Sequence, residues 1–160
     1  MRREDDQASA SPDAAAHARL LKEALVYLQR REPNMAAHVL RRALELQPDD
    51  PFCLSYLGLC MTMADRGSRE ALELCERALK AGCYDALLYC NLGKAHLLRG
   101  GRRKAHAAFV SGLKADPSNR AILQELRKMG IRQKAYFPSL PRGHAANRLA
   151  GRIRRLLRRP

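Results

Sequence analysis

YCNLGKAHLLRGGRRKAHAAFVSGLKADP, residues 89–117, is the stretch that decides the fold of this 160-residue chain. Gly100-Gly101 divides it into two segments whose apolar residues recur with helical spacing. Gly93 before this turn and Ala105 after it are small, which allows two antiparallel helices to approach closely. Pro117 ends the second segment, because proline does not continue a helix. The stretch therefore predicts one helical hairpin.

The same arrangement of small residues occurs twice more, upstream of this hairpin. The three sets are Ala24, Gly58 and Gly93, then Ala36, Ala71 and Ala105, and finally Ala43, Ala78 and Gly112. Within each set the steps are 34 or 35 residues long, and the extra residue falls in the loop around 65–68. A single hairpin cannot bury its apolar face. Three hairpins in phase therefore predict a stack in which neighbours cover one another.

This pattern resembles the tetratricopeptide repeat over roughly residues 17–129. The positions that carry the resemblance are Tyr89, Asn91-Leu92-Gly93, His96, Gly100, Ala105, Phe109 and Asp116-Pro117 in the third repeat, Leu57-Gly58, Ala71 and Ala78 in the second, and Tyr27, Ala36, Ala43 and Pro48 in the first. The resemblance implies an all-α fold, a tetratricopeptide-type superhelix of antiparallel helical hairpins. It also implies a protein that binds another protein.

Helical spacing predicts two helices for each repeat, near 14–30, 34–47, 51–64, 68–81, 85–99 and 102–115. A seventh helix near 118–129, closed by Gly130, has the pattern of a terminal capping helix. The chain is thus expected to consist of a flexible N-terminal arm over 1–13, three repeats and the capping helix over 14–130, a linker over 131–144, and a basic amphipathic helix over 145–160.

The formal net charge of +14 is concentrated at the C-terminal end. Residues 120–160 contain twelve Lys or Arg and a single acid, Glu125. On a helical wheel of 145–159 the aliphatic residues lie opposite the arginines, which are Arg148, Arg152, Arg154, Arg155, Arg158 and Arg159. This basic tail predicts an anionic partner, namely an acidic protein, RNA or an anionic membrane surface. A solubilising end without a partner is the alternative.

The chain has five cysteines and no Cys-x-x-Cys motif. It shows no secretory signal, because residues 1–6 are mostly charged and residues 7–16 are polar or small. No apolar stretch approaches the ~20 residues of a membrane span. These features predict a cytoplasmic protein whose cysteines are reduced and buried as small apolar residues.

The sequence carries no motif for catalysis or for metal binding. It has no phosphate-binding loop, no Gly-x-Ser-x-Gly motif and no paired-carboxylate site. The histidines show no tight His/Cys ligand spacing, and they are His17, His38, His96, His106 and His144. We interpret His96 as a packing residue. The sequence predicts no enzyme, no metal ion and no cofactor.

The first helices of tetratricopeptide hairpins line a concave groove, and the resemblance places thirteen residues of this chain there. They are Leu21, Leu25, Leu28, Phe52, Ser55, Leu59, Thr62, Met63, Leu87, Cys90, Lys94, Leu97 and Leu98. Ten of them are apolar, which suits an apolar or amphipathic segment as ligand. Another protein is the favoured occupant. The alternatives are the basic tail of the same chain and a second copy of it, that is, self-association.

One binding mode of the family can be compared position by position. Some co-chaperone domains hold a C-terminal carboxylate with Lys, Arg and Asn side chains. The corresponding positions here carry Leu21, Leu25, Tyr56 and Leu87, and only Asn91 fits. Because a carboxylate needs a cation and an amide donor at a set spacing, this mode is not expected.

Taken together, these features favour a non-catalytic adaptor or chaperone-like protein. Bacterial secretion chaperones built from three such repeats are similar in length and architecture, but the strong basic charge departs from them. The alternative is a factor associated with nucleic acid, the ribosome or an anionic membrane through its basic tail. The salt dependence of binding affinity distinguishes these two hypotheses. Contacts with phosphate weaken steeply between ~50 and ~200 mM salt, whereas apolar contacts hardly change.

We predict that Arg154→Glu plus Arg155→Glu weakens binding of the full chain to anionic liposomes or RNA, since each arginine near an anionic membrane contributes ~1 kcal/mol. Ile153→Asp plus Leu157→Asp should disrupt membrane insertion or docking onto protein while sparing a purely electrostatic contact with RNA. Liposome sedimentation and RNA filter binding measure these effects. If neither double variant changes binding to lipid, RNA or protein, the tail only solubilises the chain.

Overall fold

The computed structural model describes residues 12–81 and 84–130. They form seven helices: α1 Pro12–Gln29, α2 Pro33–Leu46, α3 Pro51–Ala64, α4 Arg69–Lys80, α5 Ala86–Leu98, α6 Arg102–Ala115 and α7 Arg120–Met129. Three hairpins are formed by α1 with α2, α3 with α4, and α5 with α6. Contacts of α3 with α2 and α5, and of α5 with α7, join them into a stack. The predicted all-α fold of packed hairpins is confirmed.

Local side chains fix where several helices begin. Pro33 and Pro51 stand in the first turns of α2 and α3, where the N–H that proline lacks has no intrahelical acceptor. Asp50, Ser68 and Asp85 precede α3, α4 and α5, and each side chain accepts a hydrogen bond from a backbone N–H of the first turn. These caps satisfy donors that the helix itself leaves unpaired.

The last helix differs from its predicted span near 118–129, since it begins only at Arg120. A turn precedes it, in which an Asp116 carboxylate oxygen accepts the Ser118 N–H at 3.0 Å. The Asn119 side chain then accepts the Ile122 N–H at 3.1 Å. The first bond closes a turn ahead of the helix, and the second caps the helix from the residue before it, so together they fix its start at Arg120.

Glycines allow the two helices of a hairpin to approach closely. At Gly58 of α3, a Cβ would lie 2.6 Å from Cys75 Sγ and would also meet the Ala71 carbonyl oxygen. At Gly93 of α5, a Cβ would lie 2.6 Å from Cδ1 of Phe109. Such distances are too short for carbon contacts, so a larger residue at either position displaces the facing helix or side chain. The nearest neighbour of Gly93 is thus the Phe109 ring.

Apolar side chains fill the spaces between the stacked helices. Phe109 of α6 and Ile122 of α7 are fully buried and belong to one cluster. Leu40 of α2 and Leu88 of α5 are also fully buried. Because Ile122 packs into the cluster of the third hairpin, α7 covers the apolar face that the last repeat would otherwise expose.

We predict that Gly93→Leu lowers the free energy of unfolding by about 1–3 kcal/mol or more, because the new side chain needs the space of the Phe109 ring. Urea denaturation followed by circular dichroism measures this change. Ala107→Leu is the matched control, since Ala107 is exposed on α6 and can take a larger side chain without displacing a neighbour. Gly100→Ala is unsuitable as a control, because the positive φ of Gly100, 77°, strains any other residue. A Gly93→Leu protein as stable as the wild type would contradict the assigned contact.

Candidate functional site

A cavity of about 1000 Å³ lies along α1, α3, α5 and α7. Its lining, which we call the groove, comprises Leu25, Leu28, Gln29, Arg31, Tyr56, Leu59, Met63, Arg66, Leu87, Cys90, Asn91, Lys94, Leu97, Leu98, Asn119, Ala121 and Glu125. The first three of these helices are the leading helices of the hairpins. Stacking therefore places equivalent faces of successive repeats side by side, and α7 extends the row.

Nine of the thirteen residues predicted to line a groove do line this cavity, and they are Leu25, Leu28, Leu59, Met63, Leu87, Cys90, Lys94, Leu97 and Leu98. Leu21, Phe52, Ser55 and Thr62 do not. Leu21 is half-buried and packs instead on the core of the first hairpin. That any of these residues contacts a partner remains a prediction.

Three polar residues of the leading helices, Ser55, Thr62 and Asn91, are buried and held by hydrogen bonds within the protein. Asn91 donates through Nδ2 to Ser55 Oγ at 3.1 Å, and both residues are buried. Thr62 is fully buried and donates to the Gly58 carbonyl oxygen at 2.8 Å. Asn91, the single match to carboxylate capture, thus already has a partner inside the protein.

The sequence pattern did not single out two arginines of the groove that lie in loops. Arg31 follows α1 and Arg66 follows α3, and both are exposed. They are 35 residues apart, which is one repeat step. The repeat period could therefore have identified them as equivalent positions of two successive repeats. The aromatic Tyr56 and the α7 residues Ala121 and Glu125 were also missed.

The charges of the groove are unbalanced. Arg31, Arg66 and Lys94 are its cations, and within the described ranges no carboxylate forms an ion pair with any of them. Its acid, Glu125, is paired with Lys128 at 2.8 Å. The groove therefore presents an apolar lining with an excess of positive charge.

Two further groups in the groove stay uncharged at neutral pH. Burial raises the pKa of Tyr56, and the neighbouring Cys90 and Asp85 raise it further. Burial also raises the pKa of the Cys90 thiol. Tyr56 therefore presents a neutral hydroxyl that can donate a hydrogen bond, and Cys90 acts as a small apolar side chain.

A second group of reactive side chains lies where α1 meets the start of α3. His17 Nε2 is 3.4 Å from Cys53 Sγ and 3.7 Å from Asp50 Oδ2. His17 and Cys53 are buried, and 14% of the Asp50 side chain is exposed. Burial raises the pKa of the Cys53 thiol, and Asp50 adds to this effect. We call this group the His-Asp-Cys cluster.

Several predicted features lie outside the described residues. These are most of the N-terminal arm, the linker, Cys83 and the basic tail with its six arginines. The other four cysteines, Cys53, Cys60, Cys75 and Cys90, are free and buried. Within 12–81 and 84–130, no helix is both long and apolar enough to cross a bilayer.

Comparison with known proteins identifies the fold. No family model and no curated protein matches the chain. Among solved structures, it is similar to the NMR structure of the first TPR (tetratricopeptide repeat) domain of the human RPAP3 protein, with a TM-score of 0.61, 17% sequence identity, and coverage of 71% of this chain and 89% of that one. At this identity the likeness concerns the fold alone. The seven helices, their hairpin packing and this likeness together show that the described part of the chain has a tetratricopeptide-type fold of stacked helical hairpins.

Proposed function

We propose that this protein is a non-catalytic interaction module whose groove binds an amphipathic helix of another protein, with an apolar face and acidic flanks. The observation that carries the proposal is the combination of apolar lining and unpaired cations in one cavity. Leu25 and Leu97 are half-buried, and Met63 is 37% exposed. Covering such side chains contributes roughly 25 cal/mol per Å² of apolar surface removed from water.

Charge complementarity selects the occupant. Carboxylates on the flanks of a bound helix would face Arg31, Arg66 and Lys94, which have no acidic partner among the described residues. The protein's own tail shares the apolar pattern but carries arginines, and residues 120–160 contain a single acid. Like charges opposed in one groove disfavour the tail as ligand. An acidic partner is therefore favoured over self-filling.

The fold supplies the geometry for this mode of binding. Leading helices from successive repeats present similar side chains at regular intervals, and an amphipathic helix presents anchors at i, i+3, i+4 and i+7. Tyr56 adds a hydroxyl donor within the apolar surface. Apolar contacts would give affinity, whereas the cations would set the preferred charge and orientation of the ligand.

We predict that Leu25→Glu plus Met63→Glu weakens binding of a helix-stabilised peptide with a leucine stripe and glutamate flanks by about tenfold or more, since two apolar contacts become charges. Fluorescence anisotropy of the labelled peptide gives the Kd. Met35→Glu plus Val110→Glu is the matched control, because both residues are exposed apolar residues outside the groove. Circular dichroism must show all three proteins folded. Equal loss in the control, or no loss in the groove variant, would place the peptide elsewhere.

We predict further that the charge of the peptide flanks decides the order of affinity. Peptides with the same leucine stripe and Glu, Gln or Lys flanks should bind in that order, and Arg66→Glu plus Lys94→Glu should reverse it. Arg41→Glu plus Arg42→Glu, on the exposed side of α2, controls for net charge. Equal affinity for Glu and Gln flanks would contradict the acidic partner. Tighter binding of a peptide spanning residues 131–160 would instead support self-filling.

A further inference from the structure

We propose that His17, Asp50 and Cys53 form a site for a zinc ion, with water completing the coordination. The sequence predicted no metal, because His17 lies far from Asp50 and Cys53 along the chain. Folding brings His17 of α1 beside Cys53, although 36 residues separate them. The proposal is independent of the groove, which contains none of the three.

The distances among the three side chains fit a tetrahedral ion. One ligand atom from each residue lies within 4.8 Å of the other two. Zinc bonds of ~2.0–2.1 Å to nitrogen and oxygen and ~2.3 Å to sulfur give ligand-to-ligand edges of about 3.3–3.6 Å. The observed edges are 3.4 Å between His17 Nε2 and Cys53 Sγ and 3.7 Å between His17 Nε2 and Asp50 Oδ2. These two edges are close to those of a tetrahedral site, and the third, between Cys53 Sγ and the Asp50 carboxylate, is within 4.8 Å.

The donor set selects the class of ion. Thiolate and imidazole favour zinc and its transition-metal neighbours over magnesium and calcium, which prefer oxygen ligands throughout. A carboxylate and a thiolate together balance the two positive charges of the ion, so that the partly buried complex is neutral. Three protein ligands leave one position for water. The exposed part of Asp50 provides a route for the ion and this water.

The start of α3 holds two of the ligands in position before an ion arrives. Asp50 Oδ2 accepts the Cys53 N–H at 2.6 Å, so the carboxylate and the thiol share one helical turn with a fixed orientation. His17 is buried against this turn from α1. Metal binding would therefore tie the first helix of the first hairpin to the first helix of the second. A hydrogen-bonded packing cluster without affinity for metal is the competing interpretation.

The experiment titrates the full, reduced chain with Zn²⁺ against a chromophoric chelator, and with Co²⁺ as a spectroscopic probe. We expect one ion per chain at this site, a thiolate-to-cobalt charge-transfer band, and a melting temperature that rises with zinc and falls again with a chelator. Cys53→Ser should abolish the charge-transfer band, and His17→Gln should weaken zinc binding by tenfold or more. Cys60→Ser, a buried cysteine on the same helix but outside the cluster, should leave both unchanged.

Asp50→Asn tests the site in a variant that is expected to fold. Its amide oxygen can still accept the capping hydrogen bond, whereas the negative charge is lost. It should fold as the wild type does and bind zinc more weakly. Absence of zinc binding by the wild-type chain would overturn the proposal. The proposal would also be overturned if none of the three variants changed zinc binding, since the ion would then be held elsewhere. These variants are Cys53→Ser, His17→Gln and Asp50→Asn.

Discussion

The close approach of two helices within each hairpin is the constraint on which the rest of the structure depends. Gly58 against α4 and Gly93 against the Phe109 ring leave no room for a Cβ. This contact fixes the rotation of α3 and α5 about their axes. Once the small residue faces its hairpin partner, neighbours such as Leu59 and Lys94 are turned toward the groove. The same contact that holds a hairpin together thus decides which side chains face the cavity.

Periodic features of the fold could be predicted from the sequence, and local hydrogen bonding accounts for the departures. Small residues at steps of 34 or 35 set the hairpins in phase, and all seven helices begin and end within two residues of their predicted bounds. The largest differences lie at α1, which begins at Pro12 within the predicted N-terminal arm, and at α7, which begins at Arg120 because Asn119 caps it there. Most apolar lining of the groove followed from the repeat phase as well.

The remaining features depend on contacts between distant residues or on loops. Ser55 was expected in the groove, but its hydroxyl is needed inside to pair with Asn91. Helical spacing does not predict Arg31 and Arg66 as groove residues, because they follow the helices instead of lying on them. The contact of His17 with Cys53 joins α1 to the start of α3, and no pattern along the chain specifies it. Side-chain chemistry at such contacts becomes visible only in three dimensions.

The linear stacking of the hairpins has a consequence for how the protein opens. Among the described helices, each hairpin packs on its neighbours, so stability is approximately a sum of intrinsic and nearest-neighbour contributions, and the two ends can fray while the middle stays closed. The groove, however, runs from α1 to α7 and draws on every repeat. A ligand that spans it would require all repeats to be closed at once. Occupation of the groove would thereby turn several independently fraying units into one that opens cooperatively.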